Sequence, residues 1–150
     1  MLGFIGGLMA SQTPKELFDL GVKSNKAKDF IQAKKYFEKA CNLNYGGGCG
    51  ALGDLYDDGK GVEKNLIKAA QFYSKACDLN DKFGCSILGA MQYIGKGVVK
   101  NEKQAVEKFE KACKLGKEEA CEIFSLEVLC ESSDQKACDM SYDKKKALSF

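Results

Sequence analysis

The chemistry available to this chain of 150 residues rests on its eight cysteines, because histidine is absent. Without histidine, Ser-His-Asp and Cys-His nucleophiles cannot be built, and the commonest metal-binding side chain is missing. The cysteines form four pairs with one shared separation of eight residues: Cys41 and Cys49, Cys77 and Cys85, Cys113 and Cys121, Cys130 and Cys138. An even set of this kind can hold zinc or form disulfides. Zinc sites usually show close Cys-x-x-Cys pairs or Cys/His mixtures, which this spacing does not match. Eight residues of straight helix span about 12 Å, whereas bonded cysteines need Cα atoms about 4.4–6.8 Å apart. A disulfide within each pair therefore needs a turn between its cysteines, and zinc or free thiols remain the alternative. A closed loop of this size would add about 2–3 kcal/mol by the chain-entropy argument.

The elements that must supply such turns follow from a repeat. Cys41, Cys77 and Cys113 lie 36 residues apart, as do Cys49, Cys85 and Cys121. Leu52-Gly53 recurs as Leu88-Gly89, Gly59-Lys60-Gly61-Val62 as Gly95-Lys96-Gly97-Val98, and Lys64-Asn65 as Lys100-Asn101. Ala33, Ala69 and Ala105 align, and so do Phe37, Tyr73 and Phe109. Each unit reads as two helices. In the middle unit the spacing predicts a helix over 51–57, ended by glycines. Asn65 then caps a second helix whose apolar stripe is Leu66, Ala69, Ala70, Tyr73, Ala76 and Cys77. The stretch Asn44-Tyr45-Gly46-Gly47-Gly48 reads as the turn between units. Small residues at Gly53, Gly89, Ala69 and Ala105 let paired helices approach. No unit buries its stripe alone, so the expected product is all-α, a right-handed α-solenoid cross-linked by disulfides.

The ends differ from the middle. The first unit lacks the Gly-Lys-Gly-Val loop. Beyond Cys121 the expected order is a helix to Cys130, a turn and cap at Ser132-Ser133-Asp134, and a terminal helix; Cys130 and Cys138 are paired only by analogy of spacing. Residues 1–10 are apolar and uncharged, as in the tail of a secretory signal peptide or a disordered N-terminus. Residues 11–150 are expected to form one solenoid domain, with repeats at about 13–44, 46–80 and 82–116 and a cap at 117–150. The net charge of +2 is mild and forms no concentrated basic patch, which argues against nucleic-acid binding. No run is long enough to span a membrane. A monomer without cofactor or metal is expected, in a secreted or periplasmic setting if the cysteines are oxidised.

The period, the Leu-Gly…Gly-Lys-Gly-Val…Ala…Lys-Ala-Cys-x-Leu pattern and the eight-residue cysteine step resemble Sel-one-like repeats, relatives of tetratricopeptide repeats, and more narrowly the Helicobacter cysteine-rich protein (Hcp) family. The resemblance covers about residues 13–125. It implies that paired cysteines link consecutive repeats, as Cys41–Cys49, Cys77–Cys85 and Cys113–Cys121. It also implies penicillin binding with weak β-lactamase activity, whereas Sel-one-like repeat proteins in general act as adaptors. The β-lactamase reading finds little support in the residues. Ser133…Lys136 and Ser141…Lys144 match Ser-x-x-Lys, but Lys-Thr-Gly and Ser-Asp-Asn are absent. The binding reading places a protein or peptide ligand, such as a host protein or cell-wall peptide, in the groove lined by the first helix of each unit. Asp54, Asp57 and Asp58 from one unit and Gln92 and Tyr93 from the next are the candidate groove residues. Asp57-Asp58 also reads as a solvated helix end, and the lysines of the second helices as a solvated face.

Overall fold

A computed structural model describes residues 11–148, so the leader expected at residues 1–10 lies outside the described residues. Among the described residues there are eight helices and no strand: α1 (Pro14–Lys26), α2 (Phe30–Asn42), α3 (Gly46–Asp58), α4 (Leu66–Asp78), α5 (Lys82–Ile94), α6 (Glu102–Lys114), α7 (Glu118–Glu131) and α8 (Gln135–Leu148). Consecutive helices pack on one another, and α3 also touches α5, so the first helices of the units form one face of an α-solenoid.

Local chemistry sets the helix boundaries. Thr13 and Glu16 form a reciprocal capping box at α1. Asp29, Asn65 and Asn101 accept from backbone N–H groups at the starts of the second helices α2, α4 and α6, and Asp81 does the same for α5. Gly59 and Gly95 end α3 and α5 in the left-handed region, φ 69° and 84°. The next glycine of each loop has a different task. A Cβ on Gly61 would lie 2.8 Å from the Phe30 carbonyl, and one on Gly97 would lie 2.3 Å from the Leu66 oxygen. The Gly-Lys-Gly-Val loop thus rests on the start of the preceding unit's second helix.

The turn between units is tighter than its glycines suggested. Gly46, Gly47 and Gly48 are not in the turn; they form the first turn of α3, which begins five residues before the expected helix. Tertiary packing overrides their turn preference: a Cβ on Gly48 would meet the Ala40 Cβ at 2.8 Å, and one on Gly84 would meet the Ala76 Cβ at 2.6 Å. The actual turn hinges on one residue placed three after the first cysteine: Asn44 at φ 64°, Asn80 at 64°, Gly116 at 99°. Its N–H bonds back to the cysteine carbonyl, at 2.9 Å in all three cases. The following N–H reaches the residue before that cysteine (Tyr45 to Ala40, Asp81 to Ala76, Lys117 to Ala112) at 2.9–3.0 Å.

Disulfides close these turns. Cys41–Cys49 joins α2 to α3, Cys77–Cys85 joins α4 to α5 and Cys113–Cys121 joins α6 to α7, with Cα atoms 4.7, 4.4 and 4.5 Å apart. Cys130–Cys138 joins α7 to α8, with Cα atoms 4.7 Å apart. No cysteine remains as a thiol available to zinc. Between the staples, Phe37, Tyr73 and Phe109 are buried in three linked core clusters. Burial of such a side chain contributes about 1.5–3 kcal/mol.

The aromatic rings of the second helices lie directly on glycines of the first. A Cβ on Gly53 would meet the Tyr73 ring at 2.6 Å. That ring is 2% exposed and its hydroxyl is tied to Asp54, so it cannot yield. Gly50, on the same helix, has more room: its Cβ would meet the Asp81 carboxylate at 3.1 Å. Gly53→Ala is therefore expected to cost about 1–3 kcal/mol. Gly50→Ala should cost less than Gly53→Ala, because its one tight contact, to the Asp81 oxygen held by the Gly84 N–H, is partly offset by the gain of about 1 kcal/mol that alanine has over glycine in a helix. Denaturant titration of both variants checks this; equal stability would contradict it.

Candidate functional site

A cleft of about 480 Å³ opens on the face formed by the first helices. Phe18 comes from α1, Tyr45 from the α2–α3 turn, Asp54 from α3, Asp81 from the α4–α5 turn, and Phe83 and Ile87 from α5. Its floor is smooth because Gly46, Gly47, Gly50 and Ala51 bring the α3 backbone to the surface. Phe18 lies against Phe37 and Tyr45, with ring centroids 5.7 and 5.3 Å away. These rings are held by the core beneath, which makes the wall rigid.

The cleft is acidic. Asp54 keeps solvent contact through the mouth while protein surrounds its carboxyl elsewhere. Its pKa stands above the ordinary carboxylate value, first because it is withdrawn from water and then because Asp58, Asp57 and Asp81 repel its charge. The Tyr73 hydroxyl, donating to Asp54 Oδ1 at 2.6 Å, opposes the shift. Burial also raises Asp81, against the pull of the Gly84 N–H that it accepts at 2.8 Å. Burial, followed by the Asp54 charge, pushes the Tyr73 phenol far above its ordinary range.

The five candidate groove residues do not share one site. Asp54 lines the cleft. Asp58 lines a smaller neighbouring cavity of about 290 Å³ together with Phe18, Asp54 and Lys60, and the Lys60 ammonium stands 3.7 Å from its carboxylate. Asp57 pairs with Lys96 of the next unit's loop at 3.2 Å. Gln92 is buried, donates to Gln104 at 3.4 Å, and borders a cavity on another face with Ile67 and Leu88. Tyr93 lies beneath α8, with the Lys145 ammonium 3.7 Å above its ring and Tyr142 edge-on at 5.9 Å. Phe18, Tyr45, Asp81 and Phe83 belong to the cleft and were not singled out by sequence. Their available signal was departure from the repeat: Tyr45 becomes Asp81 and then Lys117 at the 36-residue step, and Gly47 becomes Phe83.

The two serine candidates also separate. Ser133 sits at φ 73° in the exposed α7–α8 turn. Ser141 is fully buried on α8 and donates to Glu127, which also accepts from the buried ammonium of Lys145. Its sequence partner Lys144 pairs instead with Glu122 at 2.8 Å. Ser141, Glu127 and Lys145 thus form a closed polar lock between α7, α8 and the Tyr93 ring. A buried pair of this kind holds only while both partners are present.

The chain belongs to the Sel1 repeat family, whose pattern matches residues 17–45, 48–81 and 83–117, more than half of its length. Its relatives in sequence include Helicobacter pylori proteins. HcpC is 67% identical over 60 residues, 40% of this chain and 21% of HcpC. HcpA, named a β-lactamase, is 56% identical over 59 residues, 39% of this chain and 24% of HcpA. The matched stretch is therefore less than a quarter of either relative's length. The solved structure of H. pylori cysteine-rich protein B is 51% identical, covers 72% of this chain and 92% of that one, and superposes with a TM-score of 0.60. A Sel1 repeat protein of Oxalobacter formigenes is 26% identical over 75% of this chain and 48% of its own, with a TM-score of 0.72.

The raised Asp54 pKa has a stability consequence. A carboxyl with a higher pKa folded than unfolded holds its proton more tightly in the native state. Folding is then most favoured below the ordinary value of 3.8 and loses stability as pH rises through the folded value. Asp54→Asn keeps an acceptor for Tyr73 and removes the charge. It should melt above the parent protein at pH 7, and the gap should close on acidification below the ordinary aspartate range. A lower melting temperature at pH 7, or a gap independent of pH, would contradict this.

Proposed function

We propose that this Sel1-repeat protein is an interaction module whose cleft between α1, α3 and α5 takes an extended peptide segment of a protein partner, a host protein or a cell-wall peptide being the candidates. The observation that carries the reading is the cleft itself. Aromatic side chains wall it, glycines of α3 line its floor, and its volume falls in the ordinary ligand-site range of about 300–1,000 Å³. Four disulfides and no thiol fit an oxidising compartment, and thus a secreted or periplasmic location. No described helix is long and apolar enough to cross a membrane.

A second reading, β-lactam binding and hydrolysis, draws on the name of HcpA. The Ser141, Glu127 and Lys145 grouping has suitable residue types, but Ser141 has no surface open to a substrate. The interaction reading is favoured for that reason.

A peptide selected from a random displayed library against the oxidised protein tests the first reading. Phe83→Ala should weaken its binding about tenfold, the scale of one aromatic anchor. Ile67→Ala, also exposed but outside the cleft, should leave it unchanged. Equal affinities for both variants would remove the cleft from the account. In parallel, a chromogenic cephalosporin should not be turned over. Turnover that follows the oxidised protein through purification and is abolished in Ser141→Ala would favour the second reading.

A further inference from the structure

The 36-residue repeat separates what the scaffold requires from what it does not. Leu52 and Gly53 of α3 recur as Leu88 and Gly89 of α5, and both pairs are buried. On the first-helix face the two units part company: Asp54, Asp57 and Asp58 of α3 stand where α5 carries Ala90, Tyr93 and Ile94. In the third unit this face is partly covered: Ala90 is fully buried and Tyr93 is roofed by Lys145 and Tyr142 of α8, while Ile94 stays exposed. In the second unit it is open and acidic. The third unit folds without those acids; there Phe109 replaces Tyr73, so no buried hydroxyl needs the acceptor that Asp54 supplies in the second unit.

Not all the acids are available. Asp57 is ion-paired with Lys96, and Asp58 stands near Lys60. Asp54 and Asp81 make no ion pair among the described residues, and no lysine lines the cleft although the chain carries 23 basic residues. Two unpaired carboxylates thus share a recess with the rings of Phe18, Tyr45 and Phe83. Phe83 already draws cations, with the ammonium groups of Lys82 and Lys117 standing 5.5 and 5.3 Å from its centroid. Carboxylates beside aromatic faces favour a cation over an anion or an apolar group.

We propose that the cleft between α1, α3 and α5 seats a cationic side chain, lysine or arginine, of the peptide it binds, with Asp54 and Asp81 as counter-charges and the three rings as walls. The proposal rests on the peptide-binding reading above and specifies its ligand chemistry.

Three acetylated and amidated glycine/alanine nonapeptides, differing only in a central Lys, Gln or Glu, would be titrated into the oxidised, isotope-labelled protein and followed by amide NMR shifts. The Lys peptide should shift amides of α1, α3 and α5 and bind about tenfold more tightly than the Gln peptide, with the Glu peptide weakest. The Asp54→Asn/Asp81→Asn variant keeps the Tyr73 bond and the α5 cap. It should lose about tenfold for the Lys peptide and little for the Gln peptide, with its amide spectrum confirming the fold. Equal binding of the Lys and Gln peptides, or a Lys affinity untouched by the double substitution, overturns the proposal. If all three peptides bind the cleft alike, the cation seat fails and the peptide groove stands; if none shifts its amides, both fail.

Discussion

The fold depends on one local constraint, a left-handed residue three positions after a cysteine, closed by a disulfide to the cysteine five positions further on. Asn44, Asn80 and Gly116 supply the left-handed conformation, and paired backbone bonds to the preceding helix lock it. The bond between α2 and α3, between α4 and α5, and between α6 and α7 then fixes how one unit meets the next. Stacking follows from that angle, because the helices approach closely enough that Gly48 and Gly84 tolerate no side chain.

The same device explains how the stack ends. Within the second and third units the chain passes from first to second helix through the wide Gly-Lys-Gly-Val loop, whereas in the first unit Lys28, at φ 61°, makes a tight left-handed turn without cysteines. Between α7 and α8 it uses the tight clamped turn instead: Ser133 takes the left-handed place, its N–H bonds to Cys130 at 2.9 Å, and Cys130–Cys138 closes it. The disulfide-clamped form of the turn, otherwise found between units, here lies inside the last hairpin. As a result α8 folds back onto α5 and covers the first-helix face of the third unit. Ser141, Glu127 and Lys145 lock it there. The open acidic cleft is what remains of that face, so the off-period cysteine pair determines where the surface available to a partner stops.

Much of this was legible in the sequence because it is local and repeated. The cysteine period, the Asn65 and Asn101 caps and the glycine pair of each loop are short-range requirements written into each copy. Gly46-Gly47-Gly48 misled because three glycines favour a turn, and only the close approach of Ala40 shows that α3 needs Gly48. The site was less legible. Asp54 lines the cleft, whereas Gln92 and Tyr93, grouped with it by their position on a first helix, lie elsewhere. Whether such a position stays open depends on α8, which does not obey the period. Phe83 and Asp81 contribute from a neighbouring unit, and no pattern within the α3 unit announces them.

Cysteine connectivity tests the central claim most directly. Lysine-specific digestion without reductant should leave Cys41 and Cys49 in one peptide, lighter by two hydrogens than its reduced form. Peptides holding Cys77 and Cys85 should emerge joined. Those holding Cys113 and Cys138 should both be attached to the peptide carrying Cys121 and Cys130, and a further cut at Glu127 should release them as separate pairs, Cys113 with Cys121 and Cys130 with Cys138. Free thiols, or any bond between cysteines of different pairs, would contradict the account.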